Sequence, residues 1–264
     1  MSQVTERPRF AELLRDWRRR RRLSQLDLAY AAGVSPRHLS FIETGRSRPS
    51  AAMVIQLAEQ LEMPLRDRNA LLLAAGHAPA YGQHGLEEPR MEPVRDALDH
   101  LLAGHEPYPA VVVDRHWGLV AANRAVPLLI AGADAELLAP PVNVLRLTLH
   151  PDGLAPRILN LAEWRTHLLD RLHRQALASG DPALDALHAE LLEYPSPTPD
   201  TVPDLDAGTV AVPLRIRVDG AELSFISAAT TFGTAVDVTL AELSIETFLP
   251  TDERTRAFLR DRVS

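Results

Sequence analysis

The 264-residue sequence predicts a two-domain protein, an all-α domain followed by an α+β domain. Up to residue 76, apolar residues recur every three or four positions, as in amphipathic helices. Residues 77–93 are rich in glycine and proline and are predicted to form a linker. In residues 94–264, helical segments are combined with segments of alternating polarity that indicate antiparallel strands. Five helices are expected in the first domain, over Phe10–Arg22 and residues 25–32, then from Pro36, after Ser50 and from Pro64.

The most informative local pattern is a pair of short helices within residues 23–50. Ser24 is placed to cap the first of them, and Gly33 can supply the positive φ angle that a sharp turn requires. Ser35 is placed to cap the second helix, and Pro36 suits its first position because proline has no N–H to leave unpaired. With Leu39 and Ile42 as its buried stripe, this helix directs Arg37, His38, Ser40 and Phe41 outward.

An outward face that is partly basic and carries an aromatic ring suits the major groove of DNA. There arginine can read guanine, and an apolar ring can contact a thymine methyl. The pattern resembles the XRE (phage repressor-like) helix-turn-helix family over about residues 10–76, through Gln25, Gly33, Ser35, Glu43, Gly45 and Pro49. The alternative is that the helix pair is only structural.

The resemblance implies that Gln25 binds a DNA phosphate and that Arg18 pairs with Glu43. It also implies that Ser35, Pro36, Arg37 and Phe41 face bases. Proline and phenylalanine form no hydrogen bonds to bases, which sets this helix apart from the glutamine-rich reading helices of phage repressors. Together with the basic loop that follows, the predicted DNA-binding residues are Gln25, Ser35, Pro36, Arg37, His38, Phe41, Arg46 and Arg48.

The charge distribution supports a polyanion partner for the first domain only. Residues 1–80 contain 13 Arg against 8 Asp and Glu, a net charge of +5, whereas the remainder has a net charge of −12. The five arginines from Arg18 to Arg22 form either a solvated helix face or a set of phosphate contacts. The chain has no cysteine, which excludes disulfides and thiolate chemistry, and it has no signal or membrane segment by sequence, so a cytoplasmic location is expected.

The second domain is predicted to hold five antiparallel strands with helices between them. A helix from about Met91 should bury Val94, Ala97, Leu98, Leu101 and Leu102, and a hairpin should follow at Ala110–Val113 and Leu119–Ala122, with Asn123 starting a short helix. A second hairpin is expected around a type I′ turn at Asp219-Gly220, with Pro213 on an edge strand or at a bulge. The last predicted elements are a strand at residues 243–248 and a helix at residues 252–262, whereas Tyr194–Asp206 reads as an exposed loop.

Two strands, a helical middle and three strands is the order found in PAS-type sensor domains. The segments HEPYPAVVVDRHWGLVAAN, LHPDGLAPRILNLAEW and FGTAVDVTLAELSIETFLPTDERT also resemble the MmyB-like transcription regulators, over nearly the whole chain. That resemblance implies a PAS-like domain that binds a small hydrophobic ligand, for which a fatty acid has been proposed.

Candidate ligand-binding residues are Arg157, Asn160, Trp164, Trp117, Phe225 and Phe232. If Pro156 starts a helical turn, Arg157 and Asn160 share one face and could hold a carboxylate beside an apolar wall. Alternatively, Arg157 pairs with an acid such as Glu163, Asn160 caps the next helix, and the aromatic residues are ordinary core.

No catalytic motif, nucleotide-binding glycine loop or metal-ligand spacing is present, and His167 and His173, six residues apart, do not share a helix face. The sequence therefore predicts a ligand-responsive transcription regulator that is not an enzyme and has no metal or cofactor beyond its ligand. It is expected to act as a homodimer on an inverted DNA repeat without membrane contact. A partner-binding scaffold that retains the helix-turn-helix fold, and an enzyme with an unrecognised site, are the alternatives.

Overall fold

The computed structural model describes residues 10–195 and 211–263, which form two compact units. One unit comprises the described residues up to Gly85 together with Thr234–Ala241, and the other comprises Leu86–Gly233 with the residues from Glu242 onward. The first nine residues of the predicted linker therefore pack as part of the helical unit. Asn69 attaches them: its amide oxygen accepts from the backbone of Ala80 and Tyr81, and its amide nitrogen donates to Tyr81 O.

Five of the described helices in the first unit are those that the hydrophobic spacing predicts. They are α1 (Phe10–Arg20), α2 (Gln25–Ala31), α3 (Pro36–Glu43), α4 (Ala51–Gln60) and α5 (Leu65–Ala74). Ser24 and Asp27 form a reciprocal capping box at α2, and the side chains of Ser35 and Ser50 cap α3 and α4. Gly33 has a φ of 60°, which confirms the turn between α2 and α3.

A buried carboxylate joins the first three helices. Glu43 is 1 % exposed, and both of its oxygens accept from the guanidinium of Arg18, at 2.7 and 3.1 Å. Gln25 Nε2 donates to the same carboxylate at 2.6 Å. These hydrogen bonds connect α1, α2 and the end of α3, and the bonds to Glu43 raise the pKa of Arg18, which stays charged. The predicted pairing of Arg18 with Glu43 is confirmed.

The second unit combines helices with one antiparallel sheet. Its helices are α6 (Glu92–His105), α7 (Val126–Ile130), α8 (Ala135–Leu138), α9 (Val144–Leu149), α10 (Leu161–Ser179), α11 (Pro182–Leu192) and α13 (Glu253–Arg260), whereas α12 (Val238–Ala241) belongs to the first unit. The strands are β1 (Ala110–Val113), β2 (Leu119–Ala122), β3 (Leu214–Val218), β4 (Ala221–Thr231) and β5 (Ser244–Pro250). Their order in the sheet is β2-β1-β5-β4-β3, and every neighbouring pair is antiparallel.

The two predicted hairpins are confirmed. Asp219 and Gly220 have φ angles of 47° and 76°, as a type I′ turn requires, and β3 forms an edge of the sheet directly after Pro213. Asn123, predicted to start a helix, is instead buried three residues before α7. Its amide nitrogen donates to the carbonyls of Leu102 and Tyr108, so it anchors the chain between α6 and the sheet.

Two other predictions needed correction. In α6, Leu98 and Leu102 are buried and Val94 is half-buried. Ala97 and Leu101 were also predicted to be buried but are exposed, because the packed face of the helix is narrower than the run of apolar residues in the sequence. Tyr194 is half-buried and its hydroxyl donates to Glu190, so it is anchored to α11. Most of the predicted Tyr194–Asp206 loop lies outside the described residues.

The segment between β4 and β5 leaves its sheet and folds with the helical unit. Val238 is fully buried, and its N–H donates to Gly82 O at 2.8 Å. Asp237 forms a parallel bridge with Gly82, and its carboxylate lies 2.6 Å from His84 Nδ1. The short helix α12 packs against α5. The domain boundaries drawn from the sequence placed residues 234–241 with the second domain instead.

Replacing Arg18 by Met is expected to lower the local stability of α1 to α3 by about 3 kcal/mol, because it leaves the buried Glu43 carboxylate without its cation. Native-state hydrogen exchange of the α3 amides in the full chain measures this loss. Arg19→Met is the matched control, since Arg19 is exposed on the same helix, and it should change stability by about 0.5 kcal/mol or less. Equal effects of the two substitutions would contradict the role given to the buried pair.

Candidate functional site

The outward face of α3 presents the residues expected to meet DNA bases. Ser35, Pro36 and Arg37 are exposed, and His38 and Phe41 are half-buried. Ser35 Oγ accepts from the His38 amide, which fixes the start of the helix. The Arg37 guanidinium lies over the Phe41 ring, 5.4 Å from its centroid, so the two side chains form one amphipathic patch. A cation above an apolar ring can place a guanine reader next to a methyl contact.

Gln25 is positioned by the buried carboxylate beneath it. One amide hydrogen is used toward Glu43, and a primary amide has a second N–H that can face a phosphate. The predicted phosphate contact of Gln25 is therefore compatible with its packing. Glu43, on α3, also fixes the position of this side chain on α2.

Several arginines of the basic region have structural partners within the domain. Arg21 donates to Leu61 O and Glu62 O, which ties α1 to the end of α4. Arg48, predicted to bind DNA, donates through Nε to Ala75 O at 3.0 Å and through Nη2 to Gly76 O at 3.3 Å. It thus satisfies carbonyls at the end of α5 that the helix leaves unpaired. Arg19, Arg22 and Arg46 are exposed and keep the basic character of the surface.

An apolar cavity of about 250 Å³ lies in the second unit. Pro109, directly before β1, is part of the lining, and the sheet contributes Val111, Leu119, Leu214, Ile216, Ser227, Glu246 and Phe248. The helices and loops contribute Trp117, Val126, Leu129, Ile130, Leu138, Val142, Val144, Leu145, Leu147, Thr148, Leu154, Trp164, Leu168 and Arg171. Nearly all of this surface is hydrocarbon or aromatic, as in sites for small apolar ligands.

Two of the four candidate pocket aromatics, Trp117 and Trp164, line this cavity. Phe225 is fully buried behind the lining, with its ring edge-on to Phe248 at 6.3 Å, so it supports the wall as core. Phe232 lies beyond the end of β4 and outside the lining as well. A periodic pattern shows that an aromatic is inside a domain but not whether it reaches a cavity.

Arg157 and Asn160 do not form the expected carboxylate clamp. A single 3₁₀ turn ends at Arg157, Ile158 is extended, and α10 begins only at Leu161, so the two side chains share no helix face. Arg157 donates to Leu129 O at 2.5 Å, and burial lowers its pKa. Asn160 donates to Pro213 O and accepts from the Arg215 amide, which attaches the turn to β3. Neither residue lines the cavity.

The charged group on the cavity wall is the pair Arg171–Glu246, which the sequence reasoning missed. Arg171 Nη1 and Nη2 donate to the two oxygens of Glu246 at 2.8 and 2.5 Å, and the guanidinium lies 4.7 Å from the Trp117 ring centroid. Glu246 is 5 % exposed. The sequence contained one indication of this pair: Glu246 lies two residues before Phe248 on the same strand, so both side chains point to the same face of the sheet. The partner of Glu246, however, lies 75 residues away on α10.

The two cavity indoles differ in their hydrogen bonding. Trp117 Nε1 donates to Gln175 Oε1 at 2.9 Å. Trp164 is 3 % exposed, and its Nε1 is buried with no acceptor among the described residues. The His167 ring stacks on Trp164 at 5.4 Å, and burial, followed by the charges of Arg171 and Arg174, lowers the pKa of His167. The Trp164 N–H is therefore a buried donor without a partner among the described residues.

Within residues 10–195 and 211–263, no group of three His, Asp or Glu side chains is arranged to hold a metal ion. None of the helices in the same ranges is long and apolar enough to cross a membrane.

Comparisons with known proteins agree with this two-part architecture. The family model described as MmyB-like transcription regulator ligand binding domain matches residues 94–261, and the model described as Helix-turn-helix domain matches residues 9–71. The chain is 33 % identical over 104 residues to the uncharacterized HTH-type transcriptional regulator RghRB of Bacillus subtilis (strain 168). The alignment covers 39 % of this chain and 66 % of that relative, just under two thirds of its length. Because the first model spans more than half of the sequence, the chain belongs to the MmyB-like transcription regulators, with a helix-turn-helix DNA-binding domain and a ligand-binding domain.

Proposed function

We propose that this regulator reads DNA with α3 and that a small hydrophobic ligand in the cavity changes its DNA binding. Its role is to bind and respond rather than to catalyse, and it works as a homodimer on an inverted repeat. The family resemblance suggests a fatty acid as ligand, and the hydrocarbon wall of the cavity suits an acyl chain.

The observation that carries this proposal is the course of the chain between β4 and β5. Ser227 on β4 and Glu246 and Phe248 on β5 line the cavity. The segment between these strands, Thr234–Ala241, packs in the unit that contains α2 and α3. A ligand that displaces either strand would therefore also displace Thr234–Ala241, the segment that packs against α5.

The proposed dimer follows from the size of the reading element. The eight residues of α3 cover only a few base pairs, so a second copy on a two-fold axis doubles the contacts at half-sites about one helical turn apart. Sedimentation of the full chain with the selected DNA should show two copies per duplex, and the selected sequence should be an inverted repeat. A monomer bound one to one at micromolar concentration would refute the dimer.

Arg37→Ala is expected to weaken binding to a site selected from a random duplex library by about 1 to 3 kcal/mol and to relax the preference at one base pair, because a guanidinium reads a single guanine. Arg46→Ala, in the loop after α3, should weaken selected and random DNA alike. Anisotropy titrations at several salt concentrations measure both losses. Equal losses from Arg37→Ala on the two duplexes would remove its reading role, and a chain without any DNA preference would favour the scaffold function.

Val238→Asp is expected to release the β4–β5 segment, because it places a carboxylate at a fully buried position next to Gly82. Hydrogen exchange of the full chain, with and without methyl octanoate as an apolar probe, reports the coupling. The probe should alter exchange in both α5 and the cavity strands of the parent protein, but only in the cavity strands of the variant.

The matched control is Val236→Asp, the same substitution two residues earlier at a side chain that is 77 % exposed. It should leave the probe response of α5 intact. A response of α5 that persists in Val238→Asp would show that this segment does not carry the coupling.

A further inference from the structure

One part of the cavity wall carries charge, at Arg171 on α10 and Glu246 on β5. We infer that Arg171 is the head-group site of the ligand and that it selects an ionised carboxylic acid over an ester of the same chain. The carboxylate binds at the edge of the guanidinium that Glu246 leaves open, and the apolar wall covers the chain. This inference rests on the proposed function, because it takes the cavity as the ligand site.

Glu246 occupies only one edge of the Arg171 guanidinium. Its two oxygens accept from Nη1 and Nη2 at 2.8 and 2.5 Å, so it binds the end of the group. A guanidinium has five N–H groups, and the Nε–H of Arg171 has no acceptor among the described residues. A second carboxylate can therefore bind from the side, through Nε and the adjacent Nη2.

This open edge is accessible. The Arg171 side chain is 28 % exposed, whereas that of Glu246 is 5 % exposed. Arg171 is part of the cavity lining, and its Nε is not among the nitrogen atoms that the fold buries without a partner. Trp164 Nε1 is such a buried atom. Of these two unpaired N–H groups, the one on the guanidinium is therefore the one that a ligand can reach.

The guanidinium is held in place by the protein itself. It lies 4.7 Å from the centroid of the Trp117 ring, and that indole donates in turn to Gln175 Oε1 at 2.9 Å. Ser244 Oγ donates to Glu246 Oε1 at 3.0 Å, which fixes the carboxylate that holds the guanidinium. A donor group that is already fixed loses little conformational freedom when it binds a ligand.

The charge balance at Arg171 favours an anionic head group. A carboxylate bound from the side contacts the guanidinium directly, whereas Glu246 lies across the guanidinium from it. The attraction therefore acts over a shorter distance than the repulsion and is the stronger of the two. An ester carbonyl could accept from the same Nε–H, but a hydrogen bond between two charged groups is stronger than one to a neutral acceptor.

No other described residue of the lining competes for the carboxylate as a cation. The lining hydroxyl groups, on Thr148 and Ser227, are uncharged. His167 packs near this wall, but burial, followed by the charges of Arg171 and Arg174, lowers its pKa and favours the neutral ring. The position of Arg171 therefore defines where the head group lies.

The size of the cavity points to a chain of moderate length. Its volume of about 250 Å³ exceeds the roughly 150 Å³ that suffices for benzene, and it corresponds to about eight water-sized groups. An octanoyl chain is therefore a suitable probe. Octanoate and methyl octanoate share this chain and differ in the charge of the head group.

The test compares these two probes by calorimetric titration of the full-length protein at pH 8, where octanoate is ionised. The parent protein should bind octanoate about tenfold more tightly than methyl octanoate. Arg171→Lys keeps a cation for Glu246 but lacks the second edge of donors. It should weaken octanoate binding about tenfold and change ester binding by less than about twofold.

Two further variants make the comparison specific. Glu246→Gln removes the repelling charge, so it should strengthen octanoate binding at least about threefold and leave ester binding nearly unchanged. Arg174→Met is the matched control, because Arg174 is an exposed arginine one turn further along α10 and outside the lining. It should leave the ratio of the two affinities unchanged.

A ratio of octanoate to ester affinity that Arg171→Lys does not lower would overturn the head-group assignment, because a purely structural role would affect both probes alike. If octanoate nevertheless alters DNA binding, the proposed function stands while this inference fails. If neither probe binds the parent protein, the cavity is not the ligand site and both fail. If Arg171→Lys does not fold, as judged by circular dichroism, Glu246→Gln decides: octanoate binding that it does not strengthen relative to the ester overturns the inference.

Discussion

The hydrogen bonds to the buried carboxylate of Glu43 are the interaction on which the helix-turn-helix depends. This carboxylate lies at the end of α3 and receives hydrogen bonds from Arg18 on α1 and Gln25 on α2. A buried charge tolerates little displacement of its partners, because each lost hydrogen bond leaves it less compensated. The relative positions of α2 and α3 are thereby fixed by a buried contact, while the outward side chains of α3 remain at the surface.

The second unit also contains a buried arginine–glutamate pair, but in a different structural position. Arg171 and Glu246 also form a bidentate, largely buried pair, but this pair lies on the wall of a cavity instead of beneath a surface. It links α10 to the sheet and at the same time sets the charge that a ligand encounters.

One chain segment packs with a different unit from the one that its position in the sequence suggests. The family match at residues 94–261 includes Thr234–Ala241, yet this segment packs with the helix-turn-helix unit. A fully buried valine and a backbone hydrogen bond to Gly82 hold it there. The same segment joins β4 and β5, two strands that line the cavity, so the chain itself connects the two units at this point.

The sequence by itself determined the features that depend on a few neighbouring residues. Serine caps, the positive φ angle at Gly33, the Asp219-Gly220 turn and the order of strands and helices all follow from local sterics and hydrophobic period. Apart from the Arg18–Glu43 pair, which the family resemblance implied, only the tertiary structure decided where the long basic side chains find their partners. It assigned Arg48 to the end of α5, Arg157 to the Leu129 carbonyl and Arg171 to Glu246, because long side chains find partners across distances in sequence that no local pattern constrains.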